Sequence, residues 1–215
     1  MYRLHGFCQS GNSFKVAFLL RALKQPFECE FVDFMQGRTR DAAWREQTNA
    51  MGEAPVLDDG ARRMTQSGVI LLHLAKKHGA FGGKTEEERE EILRWILFDN
   101  HKFTSYFATY RFIAAFGPSA PDPAVMAFLK TRLDGAYGIV DKHLSAREYL
   151  VGATPTIADI SLSGYVFYPK EESGYDVDGR FPNIAKWRER LKKLPGWASP
   201  YDVLPGERIA PKWVV

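Results

Sequence analysis

His78-Gly79-Ala80-Phe81-Gly82-Gly83-Lys84-Thr85 divides the chain, and the patterns on its two sides differ. Before it, short apolar runs alternate with amphipathic ones. Residues 2–7 read as a strand, and Asn12 to Lys24 as a helix with Val16, Leu19, Leu20 and Leu23 inward. Pro26 stops that helix, and residues 27–34 alternate well enough for a second strand. A short helix over 41–48 precedes a hairpin that turns at Asp59-Gly60. Ser67 then caps a helix carrying Val69, Ile70, Leu72, Leu74 and Ala75. The order is β-α-β followed by α-β-β-α, a small mixed sheet under helices.

After the glycines the pattern is helical throughout. Glu86-Glu87-Glu88 complements a helix dipole at its start, and the series runs on through Leu93, Ile96, Leu97, Phe103, Phe107 and Tyr110. A second helix has Val125, Leu129, Leu133, Ala136, Val140 and Leu144 at steps of three or four. A third starts at Thr156, where Asp159 completes a capping box. A fourth follows Pro182 with Ile184, Trp187, Leu191 and Leu194. The expected organisation is therefore an α/β domain over residues 1–78 and an all-α domain over 86–200. The divider itself lacks the spacing of a phosphate loop and no strand precedes it.

Composition narrows the function classes. A 45% apolar, 13% aromatic chain of 215 residues can build a sizeable core. Lys and Arg outnumber Asp and Glu by 29 to 26, too narrow an excess to point to nucleic acid. Two cysteines, Cys8 and Cys29, support neither a disulfide scaffold nor a thiolate metal site, so no metal is expected. No run reaches the roughly 18 apolar residues of a membrane span. No signal-peptide pattern opens the sequence, and a cytoplasmic, reducing setting is the expectation.

Three short motifs carry chemistry. Ser10 lies where the first strand becomes the first helix, and unpaired N–H groups in such a turn stabilise an anion. Its hydroxyl can donate to a thiolate and lower that thiol's pKa; equally, Ser10 or Asn12 can serve simply as an N-cap. Pro55 at a strand start favours display of the preceding backbone, or is a plain structural proline. Gln66-Ser67, ahead of an apolar helix, can receive a carboxylate or only cap.

Taken together, these motifs resemble the glutathione transferase superfamily. The resemblance lies in Ser10-Gly11-Asn12-Ser13-Phe14-Lys15-Val16, in Asn49-Ala50-Met51-Gly52-Glu53-Ala54-Pro55-Val56-Leu57 and in Thr65-Gln66-Ser67-Gly68-Val69-Ile70. Two more segments match the helical-domain signatures, Gly152-Ala153-Thr154-Pro155-Thr156-Ile157-Ala158-Asp159-Ile160 and Phe181-Pro182-Asn183-Ile184-Ala185-Lys186-Trp187. The resemblance implies a thioredoxin-like N-terminal domain that binds glutathione as cosubstrate and a helical domain bordering an electrophile. By the same resemblance Ser10 is the thiolate-stabilising serine of bacterial serine-type members, with Asn12 assisting. Ala54 bonds the cysteinyl backbone before a cis Pro55, and Gln66 with Ser67 holds the γ-glutamyl end. Many members carry Glu-Ser there, so Gln66 keeps the hydrogen bonding and loses a negative charge. A homodimer is implied too.

An electrophile that meets glutathione is usually partly apolar, and Phe7, Phe103, Tyr106 and Tyr110 are the candidate lining. The same stripe of Phe103, Phe107 and Tyr110 describes ordinary core, with Tyr106 displaced from it. Cys8 stands two positions before Ser10, off the place where cysteine-type members carry their nucleophile. The expected activity is attack of glutathione thiolate on a small electrophile. Its alternatives are glutathione-dependent disulfide reduction and a non-catalytic glutathione-binding or protein-interaction module.

Overall fold

The computed structural model of the protein describes residues 1–213. Its contacts divide into two compact units: Met1–Gly82 with Leu194–Arg208, and Gly83–Lys193 with residues 209–213.

In the first unit, β1 (Tyr2–Gly6), α1 (Gly11–Ala22), β2 (Phe27–Phe31), α2 (Ala42–Gln47), β3 (Val56–Asp59), β4 (Arg62–Thr65) and α3 (Ser67–His78) follow in chain order. The sheet runs β2-β1-β3-β4, with β1 and β2 parallel and the other pairs antiparallel. This is the thioredoxin-like α/β arrangement, and an all-α region follows it. Leu4 and Leu57 face each other in register, and both are fully buried. Phe14, Leu19 and Leu20 of α1 and Ile70, Leu71 and Leu74 of α3 are buried with them. Trp44 of α2 joins Phe7, Val32 and Val56 in a separate cluster against which Ala54 packs.

Several local expectations were altered by packing. β2 ends at Phe31 rather than 34, because Val32 makes one more bond to Gly6 (3.0 Å) and the chain then turns tightly, Phe34 N–H donating to Val32. The hairpin keeps the expected primed turn, with Gly60 at φ +60°. On α3 the inward set is Ile70, Leu71, Leu74 and Ala75, whereas Val69 and Leu72 are exposed.

An ion pair within the sheet is also hydrogen-bonded to α2. Arg63 grips Asp58 with two bonds (Nε–Oδ1 2.6 Å, Nη2–Oδ2 3.0 Å) and donates its third nitrogen to the Gln47 carbonyl, 2.7 Å away. His5 Nε2 lies 2.8 Å from the same carboxylate. The Arg63 hydrogen bonds, reinforced by His5, hold the Asp58 carboxyl at about 2 against an ordinary 3.8.

The helical unit contains α4 (Glu86–Phe98), α5 (Thr104–Arg111), α6 (Pro123–Leu144), α7 (Ile157–Leu162), α8 (Val177–Arg180) and α9 (Pro182–Leu191). Two π-helical turns, Asp99–Phe103 and Phe112–Phe116, flank α5 and make one helical run from Glu86 to Phe116. Its inward face is Ile92, Trp95 and Ile96, leaving Leu93 and Leu97 exposed. On α6, Met126 turns inward in place of Val125. Thr156 and Asp159 form the expected reciprocal capping box. Asp159, fully buried, also accepts from Leu150 N–H (2.9 Å) and Trp187 Nε1 (2.9 Å), tying α7 to α9. A second buried pair, Arg111–Glu172, lies beneath the Tyr168 ring.

The return of Leu194–Arg208 to the first unit had no signal in the periodicity. It includes α10 (Pro200–Val203) and a strap, residues 204–208.

Candidate functional site

Ser10 caps α1 through its side chain, and the direction of its bonds matters. Its Oγ accepts from Ser13 N–H (3.1 Å) and from the Ser13 hydroxyl (3.0 Å). Two lone pairs are thereby occupied, and among the described residues no acceptor receives the Ser10 proton. The group is a donor waiting at a helix start, where the dipole already favours negative charge. Gly6 makes this approach feasible: a Cβ there would lie 2.7 Å from Ser13 Oγ. The sequence reading allowed a cap or a thiol donor, and the structure has Ser10 as the cap.

Cys8-Gln9, just ahead of Ser10, are held from outside by the strap. Cys8 N–H donates to Pro205 (2.8 Å), Cys8 Sγ reaches the Glu207 carbonyl at 3.5 Å, and the Gln9 carboxamide donates to that same carbonyl. Gly206 sits at φ +108°, and a Cβ on it would lie 2.9 Å from the Phe31 ring and 3.3 Å from Cys8 Sγ. Glycine is required there by both conformation and space. Cys8 is fully buried.

The two helix starts meet. Ser67 Oγ, at the first residue of α3, donates to Asn12 Oδ1 in α1 at 3.5 Å, the long end of a hydrogen bond. With its oxygen engaged, Asn12 has its NH2 group left to donate. Two helix N-termini side by side form a favourable seat for an anion.

The Ala54–Pro55 bond is cis, and Pro55 is buried. Asn49 braces the loop before it, donating to the Glu53 carbonyl (2.8 Å) and accepting from Met51 N–H (3.0 Å). Gln66 has φ +67°, outside the ordinary range for a residue with a side chain, and its amide donates to Glu53 Oε2 at 2.7 Å. Ser10, Asn12 and Ser67 are thus brought together, and Gln66 is linked to the loop bearing Ala54 and Pro55.

The aromatic candidates are placed differently from one another. Phe7 is buried and stacks on Phe34 with ring centroids 4.9 Å apart. Phe103 stacks on Tyr137 at 4.1 Å, and Tyr110 packs edge-on to Tyr175, so both belong to the core of the helical unit. Burial pushes the Tyr110 phenol pKa up. Tyr106 is half-buried and keeps accessible surface. Arg38 and Arg40 lie exposed in a 3-10 turn. Sequence reasoning missed Glu53 and the strap, whose contacts span 13 and roughly 200 residues. Among the described residues there is no group of His, Cys, Asp and Glu arranged to hold a metal, and no helix is long and apolar enough to cross a membrane.

A thioredoxin-like unit with a cis proline beside paired helix starts, followed by a helical unit, defines a recognisable class. Residues 4–86 match the family model described as the glutathione S-transferase N-terminal domain, and residues 103–195 match that of its C-terminal domain. The crystal structure of a glutathione S-transferase from Xanthobacter autotrophicus Py2 is 30% identical, with 94% of this chain and 98% of that one covered at a TM-score of 0.83. One from Pseudomonas fluorescens is also 30% identical, over 93% and 98% of the two chains, at 0.83. Glutathione S-transferase F14 of Arabidopsis thaliana is 25% identical over 197 residues, 87% of this chain and 77% of that protein. The chain belongs to the glutathione transferase superfamily.

Proposed function

We propose that the protein is a serine-type glutathione transferase whose Ser10 hydroxyl donates to the glutathione thiolate. The observation that carries this reading is the bonding of Ser10 at the start of α1: its Oγ accepts from the Ser13 N–H and the Ser13 hydroxyl, which leaves its own proton available to a ligand. Serine holds its own proton too tightly to act as a base, so it lowers the thiol pKa by solvating the anion. Asn12 adds a second donor through its NH2. The Ala54 backbone pairs with the cysteinyl residue, Pro55 shapes that segment, and Ser67 with Gln66 receives the γ-glutamyl end at the start of α3. Catalysis is then thiolate stabilisation and alignment, with no covalent enzyme intermediate.

Tyr106 is the proposed contact for a partly apolar electrophile. Replacing Tyr106 with Ala should raise KM for the electrophile and leave KM for glutathione unchanged. The activity test compares catalytic efficiency on several carbon electrophiles with that on mixed disulfides at one pH. Transfer to carbon should dominate. Dominant disulfide reduction would install the oxidoreductase reading, and tight glutathione binding without turnover the binding-module reading. Burial of Cys8 under the strap supports the first of these three.

The functional unit is proposed to be a homodimer in a reducing, cytoplasmic setting. Exposed Val69 and Leu72 on α3, and exposed Leu93 and Leu97 on α4, are apolar surface that a second copy would cover. Light scattering should give twice the chain mass at micromolar concentration; a persistent monomer would reject the assignment.

A further inference from the structure

We infer that the strap aims the Ser10 hydroxyl by clamping the turn that carries it, with Gln9 as the positioning residue. The inference rests on the proposed role of Ser10 and adds the groups that hold it in place. Ser10 N–H donates to the Phe7 carbonyl at 3.0 Å, so Phe7 to Ser10 form a four-residue turn between β1 and α1, with Cys8 and Gln9 at its centre. The strap grips both central residues. Cys8 N–H donates to the Pro205 carbonyl, and the carboxamide of buried Gln9 donates to the Glu207 carbonyl. The central residues of a turn set the direction of the chain leaving it, so fixing them fixes how Ser10 enters α1. The start of the strap lies beside the same group. A Cβ on Gly6 would lie 2.7 Å from Ser13 Oγ and 3.9 Å from Leu204 Cδ2, and Ser13 is the residue that donates to Ser10.

The returning segment Leu194–Arg208 is anchored at both ends of α1. In the last turn of that helix, Arg21 Nε donates to the Gly196 carbonyl. Gly196 has φ +74°, and a Cβ on it would lie 2.9 Å from the Arg21 carbonyl oxygen. At the helix start Gly206 has φ +108° and the same lack of room, against Phe31 and Cys8. Two left-handed glycines without space for a side chain thus seat the segment, and α10 packs on α1 between them. Only the second anchorage touches the turn. A buried carboxamide has to be bonded, and the bond Gln9 makes to the strap constrains its backbone one residue from Ser10.

The test titrates the thiolate absorbance of bound glutathione, and measures glutathione affinity and kcat, in wild type, Ser10→Ala, Gln9→Met, the double variant and Arg21→Met. Gln9→Met keeps the side-chain length and removes the amide donor. It should raise the bound-thiol pKa by about half a unit to one unit and lower kcat about tenfold, with glutathione Kd within about threefold of wild type. In the Ser10→Ala background the same change should move the pKa no further, because no hydroxyl is left to aim. Arg21→Met releases the far anchorage, and should lower stability while leaving the pKa and kcat as in wild type. Gly206→Ala reaches the turn from the strap side and should give the same shift, which serves if Gln9→Met does not fold. A Gln9→Met protein with the wild-type pKa, or a shift that persists in full without the Ser10 hydroxyl, overturns the inference while leaving Ser10 as the thiol donor. A Ser10→Ala protein whose bound thiol titrates as in wild type overturns the Ser10 reading, and the inference with it.

Discussion

Among the described residues Ser10, Thr85 and Thr156 are hydroxyl caps bonded at the starts of α1, α4 and α7, and the surroundings of Ser10 and Thr156 give those two opposite character. Thr156 is answered from all sides: its oxygen takes the Ala158 N–H, its hydroxyl and N–H both reach Asp159, and Asp159 is answered in turn by Leu150 and Trp187. Ser10 receives two donors from Ser13 and passes its own proton to none of the described residues. A closed hydrogen-bond circuit buried in a core serves folding. In the proposed function the open one at Ser10 serves chemistry. Sequence spacing treats the two alike, since both are a Ser or Thr at a cap position.

Breaking the closed circuit should give the largest effect. Asp159→Ala leaves Leu150 N–H, Thr156 N–H and the Trp187 indole N–H without their acceptor inside the protein, and should cost about 3–5 kcal/mol of stability. Denaturant unfolding measures it, and Thr156→Ala, at about 1 kcal/mol, is the milder version when Asp159→Ala is insoluble. Glutathione affinity per folded molecule should be unchanged in both variants. A selective loss of glutathione binding would erase the distinction between the caps.

The open circuit is backed by the strap, and Gly206→Ala probes that backing. At φ +108°, with the Phe31 ring and Cys8 Sγ in the way, the new methyl should cost about 1–3 kcal/mol. Cys8 is fully buried, so its reaction with a thiol reagent should be slow in the wild type and markedly faster in the variant. Equal labelling rates would mean the strap does not hold the Cys8-Gln9 segment.

Asp58 gives a smaller, pH-dependent effect on the sheet that carries the site loops. Its folded pKa of about 2 lies below the ordinary 3.8, so its contribution is present above about pH 4 and is lost as pH falls through 2. Allowing for solvent screening, Asp58→Asn should cost about 1–2 kcal/mol at pH 7, and the difference from wild type should close toward pH 2 in urea titrations. A gap that stays constant with pH would contradict the Arg63 and His5 pairing.

Much of the architecture was legible because it depends on local chemistry. The Asp59-Gly60 turn, the Thr156–Asp159 box and the change of period at residues 78–85 are each written within a few positions. The faces of α3 and α4 were harder. Val69, Leu72, Leu93 and Leu97 are as apolar as their buried neighbours, so periodicity drew them inward although they are exposed. The strap bonds through the backbone carbonyls of Pro205 and Glu207, which leave no side-chain pattern. In the site, the residue types at Ser10, Asn12, Gln66 and Ser67 were readable. The direction of Ser10's bonds and the reach of Gln66 to Glu53 were not, because they depend on where Ser13 and the 49–53 loop come to rest.

Whether the Ser10 proton goes to sulfur is tested most directly by titrating the thiolate absorbance of bound glutathione in wild type, Ser10→Ala and Thr156→Ala. In wild type the bound thiol should titrate below the roughly 8.5 of an ordinary thiol. Losing one charge-assisted bond of about 1.5–3 kcal/mol should raise that pKa by roughly 1–2 units in Ser10→Ala, with Asn12 limiting the rise. Thr156→Ala should titrate as wild type does. A bound-thiol pKa unchanged between wild type and Ser10→Ala would contradict the assignment and leave Ser10 as a helix cap.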